Sequence, residues 1–234
     1  MPLKEELRRQ GDYLFKYRGV LPIIILIPAL ILTYLNNDIE EKYYHYFLFI
    51  SLIGLLLRCI TIGTVAENTS GRNTLEGQIA DTVNTTGIYS IVRHPLYLGN
   101  FFMWMGLALC TQNIYFIFIF ILAFWLYYER IMYAEEEFLR EKFGIKYIEW
   151  ASKTPAFVPN ISTWKASNRG TNWKKIIKQE KSGLLLLCIV FYVFYSISIN
   201  SFEYNNLFSF IVIAGIVFYI LIKVLEKTTG IFKF

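Results

Sequence analysis

The sequence is poor in the residues that build metal centres and covalent staples. Its 234 residues contain three cysteines, Cys59, Cys110 and Cys188, and two histidines. An odd, scattered set of cysteines excludes a disulfide framework and offers no metal-ligand spacing. Each lies inside or beside an apolar run and reads as a small packing residue. H-E-x-x-H, P-loop and G-x-S-x-G patterns are all missing, so no metal site is expected and phosphate-cradling or serine-nucleophile chemistry has no motif. The glycine-rich turn of a dinucleotide-binding unit is missing too, which excludes a soluble Rossmann-type domain. Nothing points to a nucleic-acid partner, and nothing fixes an oligomeric state.

Polar sequence is also scarce. Hydrophobic residues make up 55% of the chain and the mean hydropathy is +0.41, too apolar for an ordinary soluble domain. Apolar runs cover 20–35, 46–65, 96–110, 115–128, 184–199 and 207–224. Some are short for a lone span, and flanking Tyr, Trp and Asn extend them into the interfacial layer. A soluble bundle needs a polar helix face, and "LLLLCIVFYVFYSISI" at 184–199 has almost none. The charged start, "MPLKEELRRQGDYLFKYRG", lacks a cleavage site after a short apolar core, so the first run is expected to be a retained span.

Basic residues are unevenly placed. They crowd the N-terminal segment, the stretch after the second run and the long segment after the fourth, while 36–45 has only Lys42 and 111–114 and 200–206 have none. This alternation predicts an all-α, polytopic integral membrane bundle of about six transmembrane helices with both termini cytoplasmic. The chain divides into 1–86 (two spans and a polar loop), 87–160 (a tight helical hairpin and a charged helical continuation) and 161–234 (a basic interfacial linker with Trp164 and Trp173, then two spans).

Polar chemistry gathers in two blocks. In "GIYSIVRHPLYLGNFF" at 87–102, a residue before proline avoids helical dihedrals and proline favours the first helical position, so a helix is predicted to start at Pro95 with His94 as the break. Arg93 and His94 then sit at a helix N-terminus, which attracts anions; snorkelling to lipid headgroups is the plainer alternative. Gly87 and Gly99 allow a ligand or backbone to come close. In "AEEEFLREKFG", Glu135, Glu136 and Glu137 lie about 100° apart around a helix, so at least one faces the bundle and wants a cation. Glu137 reads as the solvated one. Arg58, within the second run, faces either a cavity partner or the headgroups; Arg72 in "SGRNT" reads as a loop arginine unless the loop covers a site.

The two blocks together, "GIYSIVRHPLYLGNF" and "EEEFLREKFGIKYIEWASKTPAFVP", resemble the membrane methyltransferases of the isoprenylcysteine carboxyl methyltransferase and phospholipid methyltransferase family. Gly87, Tyr89, Arg93, His94, Pro95, Tyr97 and Gly99 match the first motif; Glu135, Glu136, Leu139, Phe143, Gly144, Tyr147, Pro155 and Pro159 match the second, with Glu137 on a variable position. The resemblance covers about a third of the chain and implies an enzyme with S-adenosylmethionine bound at the cytoplasmic end of the hairpin. It implies that Arg93 and His94 bind the cofactor's carboxylate and polar edge. Tyr89, Tyr97 and Tyr147 would line the adenosyl pocket with Gly87, Pro95 and Gly99 around it. Glu135 and Glu136 would hold the ammonium or ribose, or position the acceptor, and with Arg93 form the catalytic set.

A site where spans meet the interface argues for a membrane lipid as acceptor. The segment at 68–87 resembles a bacterial branch associated with methylation of a lipid A phosphate, with Arg58 and Arg72 as substrate-binding residues and the bacterial inner membrane as location. Phosphatidylethanolamine N-methylation and isoprenylcysteine carboxyl O-methylation are the alternatives. A small transporter would need polar or broken helices near mid-membrane, and a scaffold would need no working site.

Overall fold

The computed structural model describes residues 2–19, 21–36, 40–66, 69, 73–74, 77–78 and 80–232. Among the described residues, eight α-helices run in the order α1 (Leu3–Lys16), α2 (Leu21–Leu35), α3 (Glu41–Thr64), α4 (Pro95–Leu109), α5 (Ile114–Phe143), α6 (Ile145–Ala151), α7 (Trp173–Ser198) and α8 (Leu207–Thr228). The one sheet among the described residues is a two-residue antiparallel pairing of β1 (Asn73–Thr74) with β2 (Gly77–Gln78). Among the described residues, four helices are long and apolar enough to cross a membrane: α5, α7 and α8 at full length, and 42–64 within α3. The apolar parts of α2 and α4 are shorter, at 23–35 and 95–109.

The helix boundaries follow local chemistry. Pro95 occupies the first turn of α4 and His94 is its N-cap, as expected from the sequence. Asn113 caps α5 by accepting from the Phe116 N–H at 3.0 Å. At 30 residues, α5 is about 45 Å long, well beyond a hydrocarbon core of about 30 Å, so its charged end projects past the apolar layer.

α3 and α4 form the most extensive helix pair. They approach at Gly54 and Gly99, where a methyl on Gly54 would lie 2.6 Å from the Met103 amide nitrogen and closer still to the Gly99 carbonyl oxygen. Only glycine lets two helix backbones come this near. At the other end of α3, the rings of Tyr44, Tyr195 and Phe208 join α3, α7 and α8, with centroids 4.9–6.2 Å apart.

Two regions differ from the sequence reading. α7 begins at Trp173, eleven residues before the apolar run, so much of the expected interfacial linker is helix. The reason is that its charges are buried and partnered: Lys175 Nζ donates to the carbonyl oxygens of Val65 and Ala66 at the end of α3, and Lys181 Nζ pairs with Glu226 Oε1 of α8 at 2.6 Å. Glu137, expected to be solvated, is 4% exposed because α1 lies over it; Lys4 pairs with it at 2.8 Å, and Arg8 pairs with Glu141 one turn on.

Candidate functional site

The segment 87–94 is held by a strap formed from 151–165. The Gly87 N–H donates to the Lys165 carbonyl (2.8 Å), Asn160 N–H to Ile91 (2.9 Å), Arg93 N–H to Pro155 (2.9 Å) and His94 N–H to Ala156 (3.2 Å). Ser90 adds two bonds, its Oγ accepting from the Lys165 N–H and its carbonyl from Thr163 Oγ1. Gly87 adopts φ 62°, a conformation that side-chain-bearing residues rarely take, so its residue type serves this turn. The Arg93 side chain ties strap to helix, with Nη1 donating to the carbonyl oxygens of Ala151 (2.7 Å) and Thr154 (3.1 Å).

Against this segment lies the charged end of α5. Glu136 Oε1 accepts from Arg93 Nε at 3.0 Å and lies 2.9 Å from His94 Nε2, while Glu135 Oε2 lies 3.5 Å from His94 Nδ1. The 100° stagger of adjacent helical residues explains the sorting: Glu135 and Glu136 reach His94, and Glu137 points away to Lys4 and Arg140. His94 is 6% exposed and its ring stacks on Tyr97 at 5.7 Å. Burial by itself disfavours a charged imidazole, but hydrogen bonds and attraction from Glu135 and Glu136 outweigh it, so the pKa of His94 is raised. Tyr147 is 1% exposed, and its hydroxyl lies near Glu136 without a hydrogen bond of normal geometry. Burial first, and then the Glu136 charge, push this phenol well up, which keeps it protonated.

These groups surround a cavity of about 300 Å³. Of the residues singled out in the sequence, Arg58, Tyr89, Arg93, His94, Pro95, Tyr97, Glu135, Leu139 and Tyr147 line it. Glu136 stands behind this surface, bonded to Arg93 and His94. Gly87 and Gly99 are not on the wall; Gly99 packs against Gly54 and Arg58, where an added methyl would lie 2.6 Å from Arg58 Cγ. Arg72 lies outside the described residues.

The sequence reading missed several wall residues: Phe15 and Arg18 just beyond or within α1, Asn100 and Tyr128 on the hairpin, and Trp150, whose indole N–H donates to the Tyr89 carbonyl at 3.1 Å. Phe15 and Arg18 had a signal in the mix of aromatic and basic residues in the charged start, and Asn100 in being a lone amide within an apolar run. Arg58 is not facing headgroups. Its guanidinium makes a bidentate pair with Glu180 of α7, Nε to Oε2 at 3.0 Å and Nη2 to Oε1 at 2.6 Å, and Nη1 donates to Asn100 Oδ1 at 2.6 Å.

Residues 46–146 match the family model described as phospholipid methyltransferase. That segment holds the α4–α5 hairpin, the first block and the second block as far as Lys146; Tyr147, Pro155 and Pro159 lie beyond it. Over 97 residues the chain is 34% identical to the cobalt-zinc-cadmium resistance protein CzcN of Cupriavidus metallidurans, covering 42% of this chain and 44% of that protein. Over 110 residues it is 31% identical to a protein-S-isoprenylcysteine O-methyltransferase of Saccharomyces cerevisiae, covering 47% and 46%. Over 113 residues it is 31% identical to protein-S-isoprenylcysteine O-methyltransferase B of Arabidopsis thaliana, covering 47% and 56%. The chain thus matches about half the length of these relatives. No solved structure matches it. The matches support the family expected from the two motifs.

Proposed function

We propose that the chain is an integral membrane methyltransferase that uses S-adenosylmethionine to methylate an anionic oxygen on the head of a membrane lipid. One observation carries this reading: Arg93 and His94 of one block meet Glu135 and Glu136 of the other, 2.9–3.5 Å apart, beside a 300 Å³ cavity with tyrosine walls. The residues suit the cofactor, which bears a carboxylate, an ammonium and an aromatic base. The cluster offers both charge signs, and among the described residues the buried Tyr147 hydroxyl makes no hydrogen bond of normal geometry. Arg93 and His94 would hold the carboxylate edge, Glu135 and Glu136 the ammonium or ribose, and Tyr89, Tyr97 and Tyr147 the adenosyl group. When bound, the cofactor supplies an activated methyl on a sulfonium, which needs no metal.

The chain's own part is to orient the acceptor and exclude water. Phe15, Phe138 and Leu139 give the cavity apolar cover. An acceptor that is already anionic needs no base, whereas an ammonium must first lose a proton. Glu135 and Glu136 are both engaged with His94 or Arg93, which favours O- over N-methylation. The first choice of acceptor is a phosphate oxygen of a lipid A-type glycolipid, on the resemblance of the 68–87 segment. The second is an isoprenylcysteine carboxylate, on the names of the yeast and plant relatives.

In this reading α2, α3, α4, α5, α7 and α8 supply six spans of a bacterial inner-membrane protein. The methyltransferase core is 87–160, and the site faces the cytoplasm, where the cofactor is made. Calorimetry on detergent-purified protein tests the cofactor site: binding lost in Arg93→Ala and Glu135→Ala supports it, and full binding in both refutes it. Mass spectrometry of whole-cell lipids with and without the gene tests the acceptor. A one-methyl gain on a phosphate-bearing glycolipid supports the first choice, and a gain on ethanolamine lipids overturns it.

A further inference from the structure

We propose that Arg58, Asn100 and Tyr128 form an oxyanion subsite on one wall of the cavity, and that Glu180 of α7 is its positioning residue. The inference rests on the methyltransferase reading and deepens it, because it says what chemistry the acceptor head must present and which residues receive it.

The case is an inventory of donors. A guanidinium has N–H groups only and no acceptor, so the Asn100 atom facing Arg58 must be its carbonyl oxygen, and the amide NH₂ must point the other way. There it donates to Tyr128 Oη at 3.0 Å. Since that hydroxyl accepts from Asn100, its own proton is left to donate. On Arg58, Glu180 takes the Nε proton and one Nη2 proton, and Asn100 takes one Nη1 proton. One N–H on each terminal nitrogen is left. Among the described residues no hydrogen bond uses these three donors, although Arg58, Asn100 and Tyr128 all line the cavity. Buried donors in native proteins have acceptors, and a set of donors on one wall with none suits an oxygen anion from outside the chain.

Glu180 shapes this wall without forming part of it. It is 5% exposed and lies on a helix outside the matched segment 46–146, so α7 reaches the site through it. Its two oxygens fix the plane of the guanidinium and so the direction of the remaining N–H groups. Its charge also makes the Arg58–Glu180 pair formally neutral. An acceptor oxyanion is then held by directed hydrogen bonds without the full attraction of an isolated cation, which would stabilise the ground state and dull the nucleophile.

The test uses the full chain in detergent micelles saturated with S-adenosylhomocysteine, the demethylated and unreactive form of the cofactor. Calorimetry measures three probes: dodecyl phosphate, N-acetyl-S-farnesylcysteine and dodecylamine. At least one anionic probe should bind and the amine should not; which anion binds more tightly tells whether the head is a phosphate or a carboxylate. Tyr128→Phe, Arg58→Lys and Glu180→Gln should each weaken the anion about tenfold or more, the value of a hydrogen bond to a charged group, while S-adenosylhomocysteine affinity stays within about twofold. A purely structural Arg58–Glu180 staple would lower thermal stability and leave the probe affinity of the folded fraction unchanged, and that result overturns the proposal, as does equal binding of dodecylamine. Should Glu180→Gln fail to fold, Tyr128→Phe decides, because it removes one donor and leaves the pair with Glu180 in place. A wild-type protein that does not bind S-adenosylhomocysteine overturns the methyltransferase reading itself. One that binds it but holds the anionic probes equally in all variants overturns only the subsite.

Discussion

Replacing Gly54 with alanine places one methyl group between two helix backbones. The new carbon would lie 2.6 Å from the Met103 amide nitrogen, nearer to the Gly99 carbonyl oxygen, and 3.0 Å from Met103 Cγ. The first two are backbone atoms of α4 and cannot swing aside as a side-chain end would. Relief requires α3 and α4 to part by most of an ångström along the most extensive helix contact in the protein. Overpacking of this kind costs about 1–3 kcal/mol, and a rigid backbone on both sides argues for the upper end. Alanine returns about 1 kcal/mol through its better helix propensity. The net loss is about 2 kcal/mol, or roughly a thirtyfold fall in the folded-to-unfolded ratio. The assay is equilibrium unfolding in mixed micelles, titrating the fraction of denaturing detergent and following helical signal. Gly170→Ala is the control, since nothing lies within 4 Å of the added methyl there. Damage to the site is expected as well. Arg58 stands one turn after Gly54 on α3, and moving α3 outward draws its guanidinium from Asn100, so anionic-probe affinity should fall along with stability. A Gly54→Ala protein that unfolds at or above the wild-type midpoint would refute the close crossing.

Three further outcomes are expected. The raised pKa of His94 means that its ion pairs stabilise the fold below the unfolded-state value of about 6.5 and that this stability is lost as pH rises through the higher folded-state value; melting temperature should fall with rising pH above about 6.5, and His94→Gln should flatten that slope. Arg93→Lys keeps the charge but cannot serve Glu136, Ala151 and Thr154 together, so limited proteolysis should cut the 151–165 strap faster, and cofactor affinity measured by calorimetry should drop about tenfold or more. The solvent-accessible Arg8–Glu141 pair bridges α1 and α5 at the surface, and Arg8→Ala should melt with the wild type at moderate salt.

What could be read from the sequence was what the chain encodes locally. Apolar length announced the helices, and Pro95 marked the start of α4 because its fixed φ and missing N–H act within one turn. The stagger of consecutive helical residues predicted that three adjacent glutamates could not share one environment; Glu137 indeed parts from Glu135 and Glu136, though toward α1 rather than solvent. The strap was not legible, since half of its bonds to 87–94 run backbone to backbone and each of the others ends on a backbone group, which leaves little residue signature. Nor was the onset of α7. Lys174, Lys175, Lys178, Glu180 and Lys181 look from the sequence like solvated linker charges, because the partners that hydrogen-bond Lys181, Glu180 and Lys175 lie 45, 122 and 110 residues away.

Those distant partners show how the fold is organised. A charge inside or at the edge of a bilayer is costly unless it is partnered, so each buried charge ties its own helix to another. Lys175 ties α7 to the end of α3, Glu180 ties it to the cavity through Arg58, and Lys181 ties it to α8. All three lie within two turns of one helix, on the side of the protein where the cavity is. Apolar packing alone would let α7 slide or rotate against α3, since neighbouring apolar surfaces differ little in energy from lipid. The three ties remove that freedom where sub-ångström placement of Arg58 matters and leave the far end of α7 to aromatic packing with Tyr44 and Phe208. A bundle built this way has its positional accuracy concentrated at the cavity end, so neutralising Lys175 or Lys181 should loosen the site more than enlarging or trimming an apolar side chain at the opposite end of α7.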